Sequence, residues 1–299
     1  MHRPSLPTIF FIGTLGIATF SGMDAVMKGL SLAIGTYNAL FWRMWAASLC
    51  GAIVWAMRRP KAPSRAAVKL HLTRGAVGAT MAFLFFWGLA RVPMAQAIAL
   101  SYIAPLLALF LAAMILGERI GRGVVGASLI ASAGVGVILI GQAQSRLGDE
   151  AFLGALSILA SAVCYSWNIV LMRQQAQVAS PEEVGLFQSL VAAVLLSLPA
   201  PWLAELPPVR EIGPILLAAV LSTVSLMLLS WAYARAEAQY LAPTEYTSFV
   251  WAALLGWVVF GEHVSLYTLA GAGLIVGGCL IAARMKPQVM THEAEAALP

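Results

Sequence analysis

Residues 87–118, WGLARVPMAQAIALSYIAPLLALFLAAMILGE, and residues 231–262, WAYARAEAQYLAPTEYTSFVWAALLGWVVFGE, decide the architecture, because the second stretch repeats the first at a fixed offset of 144 residues. Without a gap, Trp87 falls on Trp231, Ala90 on Ala234, Arg91 on Arg235, Tyr102 on Tyr246, Ala108 on Ala252 and Gly117-Glu118 on Gly261-Glu262; further on, Gly134 falls on Gly278. Ala and Gly coincidences are cheap in apolar segments. Trp, Arg, Tyr and a Gly-Glu pair held in one register are not.

The surrounding sequence says what medium the repeat sits in. The chain has 299 residues, 61% hydrophobic and 10% charged, with a mean hydropathy of +0.86. Soluble domains carry about 25% charged residues, so lipid is the expected solvent for most of this surface. A spanning helix needs roughly 20 apolar residues. Stretches of that length run at 8–30, 36–57, 68–90, 94–115, 122–141, 151–174, 181–200, 212–234, 240–260 and 266–284. Transmembrane strands are about 10 residues long and alternate in polarity, and nothing here alternates. The expected fold is therefore an all-α integral membrane protein of ten transmembrane helices.

The first span reads as a retained helix, since its apolar run outlasts a leader's core and no small-x-small site precedes Asp24. Cys50, Cys164 and Cys279 all fall within spans, so no disulfide framework is implied. The formal charge of +5, taken alone, points to a nucleic-acid partner. Basic residues collected in inward loops explain it better. Arg58, Arg59, Lys61, Arg65, Lys69 and, at its far edge, Arg74 mark the loop after the second span as cytoplasmic, which puts both termini inside. Two repeats follow, 8–141 and 151–284, with a short cytoplasmic tail at 285–299. Five spans separate equivalent positions, and because five is odd the second copy enters the membrane upside down. Inverted repeats of this kind are a design of secondary transporters.

Ten helices in a 5+5 inverted arrangement, with Pro105 through Gly117-Glu118 and Pro243 through Gly261-Glu262 each leading into a Gly/Ala-rich span, resemble the EamA-type branch of the drug/metabolite transporter superfamily. The resemblance covers 8–284 and is specific for fold but weak for cargo. The overall run is also similar to bacterial YddG-type exporters of aromatic amino acids. It implies a multi-pass protein of the bacterial inner membrane whose helices one, three and four of each half line a cavity. On that implication the lining candidates are Thr80, Phe83, Tyr102, Tyr165, Trp167, Asn168, Thr223, Tyr246 and Trp251. The hydroxyls among them can equally bond the preceding turn or join helices.

Charges inside a membrane cost about 2.5–3.5 kcal/mol each at the centre, so they are functional suspects. Asp24 and Lys28 stand four apart on one helix face, a spacing that suits an ion pair serving as an outer anchor or an external gate. Arg43 can hold a substrate carboxylate or, the favoured reading, snorkel between Trp42 and Trp45. Glu245 follows Pro243, which removes a backbone donor, and offers a proton-titrating group, a ligand contact or an interfacial carboxylate. Pro105 and Pro243 predict a break in both copies of one helix. Gly273-x-x-x-Gly277 reads as internal packing or a dimer seam, and the oligomeric state stays open.

No phosphate-binding Gly-x-x-x-x-Gly-Lys-Ser/Thr loop occurs. His2, His71, His263 and His292 are scattered, so neither a metal, a cofactor nor enzymatic chemistry is expected. The expected function is export of small neutral, chiefly aromatic, amino acids or related amphipathic metabolites by alternating access. A broad drug or metabolite exporter is the alternative, and a membrane enzyme or sensor the more distant one. The expected partners are a small-molecule substrate and the lipid bilayer, with no nucleic acid. Proton coupling is open, with Asp24 and Glu245 its acidic candidates.

Overall fold

One residue separates the first two helices. Gly35, at φ +77°, reverses the chain between α1 (Leu6–Ile34) and α2 (Thr36–Met57), using a left-handed backbone that glycine adopts without a Cβ clash. The computed structural model describes residues 6–57, 63–116, 122–144, 148–175, 178–233, 235 and 238–284. The basic loop residues Arg58, Arg59 and Lys61, the Gly117-Glu118 copy of the motif and the tail at 285–299 lie outside the described residues.

Every regular element among the described residues is helical. After α2 come α3 (Arg65–Leu89), α4 (Met94–Ser101), α5 (Ala104–Leu116), α6 (Arg122–Gln144), α7 (Gly148–Gln175) and α8 (Pro181–Ser197). A short α9 (Ala200–Leu203), α10 (Val209–Tyr233), α11 (Ala238–Phe260) and α12 (Leu266–Arg284) complete the chain. Ser64 caps α3 by accepting from Ala67 N at 3.1 Å, and Ser180 caps α8 by accepting from Glu183 N at 3.3 Å, with Pro181 in the first turn. Among the described residues five helices are long and apolar enough to cross a membrane: α1, α2, α3, most of α7 (Asp149–Met172) and α10. Shorter apolar helices run at Met94–Ala108, Val125–Gly141, Glu183–Ser197 and Leu266–Ile281.

Polarity is inverted relative to a soluble protein. Leu, Ile, Val and Phe side chains such as Phe11, Leu49, Leu129, Val163, Leu216 and Val258 face outward, while Asp24, Lys28, Arg43, His71, Arg74, Asn168 and Glu183 are buried. The bundle is built to sit in lipid.

Without water outside, helix association rests on close packing and interior hydrogen bonds. α6 against α12 shows how. A Cβ on Gly134 would lie 2.6 Å from the Gly271 carbonyl, and one on Gly278 would lie 2.6 Å from the Ala127 carbonyl. These contacts are each other's images, since Gly278 and Gly271 stand 144 residues after Gly134 and Ala127. The rest of the packing obeys the same exchange. α1 lies on α10 as α7 lies on α3, α3 on α8 as α10 on α2, and α1 on α11 as α7 on α4 and α5. α2 meets its own counterpart α8, and α6 meets α12.

The two proline expectations part company. The fourth apolar stretch is two helices, broken at Tyr102 and Ile103 just before Pro105. Pro105 has no N–H to reach back to Ser101, and it sits in the first turn of α5, where that donor is not needed. Pro243 breaks nothing: α11 runs on through it. Standing in the second turn, it removes one bond close to a helix start, where the ladder is short anyway.

The glycine seam is directly testable. Gly134→Ala should destabilise the detergent-solubilised protein by about 1–3 kcal/mol through backbone displacement at α12. Gly136→Ala, which meets open space, should leave the melting temperature unchanged. Equal melting of the two variants would contradict this account of the seam.

Candidate functional site

At one end of the bundle α1, the α3–α4 turn and the end of α11 are tied together. α11 stops at Gly261, whose φ of +66° allows its N–H to bond Trp257 O at 3.0 Å while Glu262 N bonds Gly256 O at 3.0 Å. That double closure turns Glu262 back along its own helix. Its Oε2 lies so close to Gly256 that a Cβ there would be 2.7 Å away. Glu262 Oε2 accepts from Met94 N at 2.8 Å, and Oε1 receives the Lys28 ammonium, which also donates to Val92 O at 2.6 Å and stands 5.3 Å from the Phe260 ring centroid. Lys28 is therefore not the partner of Asp24, as their spacing had suggested. Its long stem carries the charge past the helix surface to a carboxylate that also needs a cation.

Asp24 stays behind, 1% exposed, with neither carboxylate oxygen hydrogen-bonded among the described residues. Its electrostatic neighbour is Arg43, which does not snorkel. The Arg43 guanidinium is buried, 3.6 Å from Met23 Sδ and 5.5 Å from the Phe86 ring centroid, with Nε unpartnered. Arg43 points inward because α2 presents that face to α1, where Asp24 lies.

About 25 Å along α11 from Glu262, by helix rise, Glu245 is exposed within a group of tyrosines. Tyr233 Oη donates to Glu245 Oε1 at 2.5 Å. Tyr102, Tyr165 and Tyr246 all lie within electrostatic range of the same carboxylate. These residues come from the α4–α5 break, α7, α10 and α11, so four parts of the bundle converge here. Tyr102 and Tyr246 meet edge to face with centroids 5.4 Å apart. Two equivalent residues in contact must stand beside the axis that relates the halves. Tyr102 Oη enters the α11 backbone: it accepts from Phe249 N at 2.9 Å, contacts the Tyr246 carbonyl at 3.2 Å and shares a hydrogen bond with Ser248 Oγ at 2.7 Å. Cys279 Sγ takes the Tyr102 carbonyl, left over at the helix break, at 3.2 Å.

A buried polar chain runs from this cluster toward the end opposite Lys28. Arg74, which the sequence placed at the edge of a loop, lies inside α3; its Nε donates to Asn168 Oδ1 at 3.1 Å and its Nη1 to Gln175 Oε1. Gln175 Nε2 is 2.5 Å from His71 Nδ1, and His71 Nε2 is 2.7 Å from Glu183 Oε1, with the imidazole stacked on Phe187. His71 is thus not a stray histidine. Its signal was faint but present: His71 and Arg74 are three apart, and Asn168 and Gln175 seven, so each pair shares a helix face.

Of the other lining candidates, Thr80 and Thr223 donate to Ala76 O and Ala219 O in their own helices. Phe83 packs on the core, Trp167 is 51% exposed, and Trp251 keeps a buried Nε1 without a partner among the described residues. Among the described residues no three His, Cys, Asp or Glu side chains converge as metal ligands do.

The EamA-like transporter family matches twice, over residues 7–140 and again over 152–284. The pseudopaline exporter CntI of Pseudomonas aeruginosa is 30% identical over 279 residues, spanning 92% of this chain and 95% of that protein. The riboflavin transporter of Rhizobium johnstonii is 29% identical over 302 residues, spanning 95% of this chain and 96% of its own. The S-adenosylmethionine uptake transporter of Rickettsia bellii is 24% identical over 292 residues, 93% of this chain and 94% of its own. A solved crystal structure at 26% identity superposes with a TM-score of 0.60 over 93% of this chain and 98% of its own. The chain belongs to the EamA-like transporter family and is a membrane-embedded transporter.

Proposed function

We propose that the chain exports small neutral, chiefly aromatic, amino acids or related amphipathic metabolites across a bacterial inner membrane by alternating access. On this reading ten spans form two five-helix repeats, 8–141 and 151–284, with both termini in the cytoplasm. The observation that carries it is the pairing of a closed end with an accessible tyrosine cluster. Lys28 and Glu262 tie together what the charge distribution makes the outer end. Tyr102, Tyr165, Tyr233 and Tyr246 surround an exposed Glu245 at the inward side. Phenol rings and hydroxyls accept a flat apolar body carrying a few polar groups.

The repeated packing supports rocking of one half against the other, which would part the Lys28–Glu262 contact as the tyrosine cluster closes. Relatives named for different cargoes favour one specific alternative, a broad metabolite exporter. A YddG-like preference for aromatic amino acids is the narrower version of the proposal.

In proteoliposomes preloaded with phenylalanine, labelled tryptophan and phenylalanine should enter by counterflow, with threonine slower. Exchange of non-amino-acid solutes alone would replace the cargo with the broad alternative. Absence of exchange across a wide panel would overturn the carrier reading and leave the enzyme or sensor.

The closing contact has its own test. In a background lacking Cys50, Cys164 and Cys279, Ser31→Cys on the buried last turn of α1 reports opening through labelling by an impermeant maleimide. Lys28→Met leaves Glu262 uncompensated and should raise labelling roughly tenfold or more. Lys28→Met with Glu262→Leu, which removes both charges, should fall back toward the parent rate. Equal labelling in all three proteins would remove the gate.

If flow is coupled to protons, Asp24→Asn or Glu245→Gln should flatten the pH dependence of uptake. Unchanged profiles in both variants would mean facilitated diffusion.

A further inference from the structure

We infer that Glu245 and the tyrosines around it form an ammonium-binding site, so that the transporter selects cargo by a positively charged amine as well as by an aromatic body. The inference rests on the transport reading for its physiological meaning but not for its test.

Among the described residues Glu245 forms no ion pair with a lysine, arginine or histidine; the partner shown for its carboxylate is the Tyr233 hydroxyl, donating at 2.5 Å. The other carboxylates drawn into the bundle are placed differently. Glu262 has Lys28 and a backbone N–H, Glu183 has His71, and Asp24 is sealed away beside Arg43. Glu245 is the exposed one. A carboxylate held among packed helices and left exposed is a natural seat for a cation that comes and goes.

The surroundings state which cation. A metal ion would want several oxygen ligands, and no acidic cluster meets at this point among the described residues. Tyrosines do gather here, Tyr233 in direct contact with the carboxylate and the Tyr102–Tyr246 pair beside it, and aromatic rings favour an organic ammonium. The Tyr102–Tyr246 edge-to-face pair is locked by the bonds of Tyr102 to α11, so the wall is rigid before a ligand arrives. Tyr165 lies within electrostatic range of both Glu245 and Arg74.

Purified protein in nanodiscs, titrated with phenethylammonium and with its uncharged analogue 2-phenylethanol, tests the site by tryptophan fluorescence or calorimetry. The amine should bind the parent protein roughly tenfold or more tightly than the alcohol. Glu245→Gln should erase that preference while alcohol binding persists, which shows that the variant is folded. Glu245→Asp should keep part of the preference, and Tyr233→Phe should weaken amine binding severalfold. Equal affinity of the parent for both probes, or a preference that survives Glu245→Gln, would overturn the inference. Ligand preference without counterflow of any amino acid would leave the ammonium site standing and sink the cargo proposal instead.

Discussion

A chain surrounded by lipid cannot solvate its charges at the surface, so each one drawn into the bundle has to be answered by another part of the protein or by cargo. That constraint organises this molecule. Lys28 reaches across to Glu262, Arg74 is divided between two amides, and His71 bridges an amide and a carboxylate. Each of these links joins helices that are far apart in sequence. Where an exposed carboxylate has no basic partner among the described residues, as at Glu245, function is the natural explanation.

The scaffold that holds these links in place is made of small residues. Since lipid tails are as apolar as leucine, helices gain little by burying leucine against each other and more by approaching until backbones touch. Gly134, Gly271 and Gly278 provide that approach between α6 and α12, and the same contact is made twice because the two helices are counterparts. The helices that carry charges and tyrosines pack in exchange-related pairs.

What the sequence made legible follows from which forces are local. Apolar length exposed the helices, and the fixed offset exposed the relation between halves. Pro105 marked the break in the fourth apolar stretch because a missing donor acts on its own helix. Pro243 misled for a related reason, since the cost of the same defect depends on how near the helix start it falls. Asp24 and Lys28 looked like a pair because same-face spacing is visible in a sequence, whereas the position of Glu262 beside Lys28 depends on tertiary packing between residues 234 apart. Arg74 was counted among loop charges because a basic residue near a span end looks the same whether it faces water or turns inward. Tyr102 and Tyr246 were singled out as equivalent, but that they touch, and that Tyr165 and Tyr233 join them, needed the fold.

The seating of Tyr102 in α11 carries one more consequence. Its hydroxyl accepts from the N–H of Phe249, and the residue equivalent to Phe249 in the first half is Pro105. If the halves exchange roles, Tyr246 arrives at a proline that has no hydrogen to give. One hydrogen bond, worth about 0.5–1.5 kcal/mol, is therefore present in the conformation described and unavailable in its mirror. Wherever matched halves do exchange, this one bond favours the conformation described over its mirror.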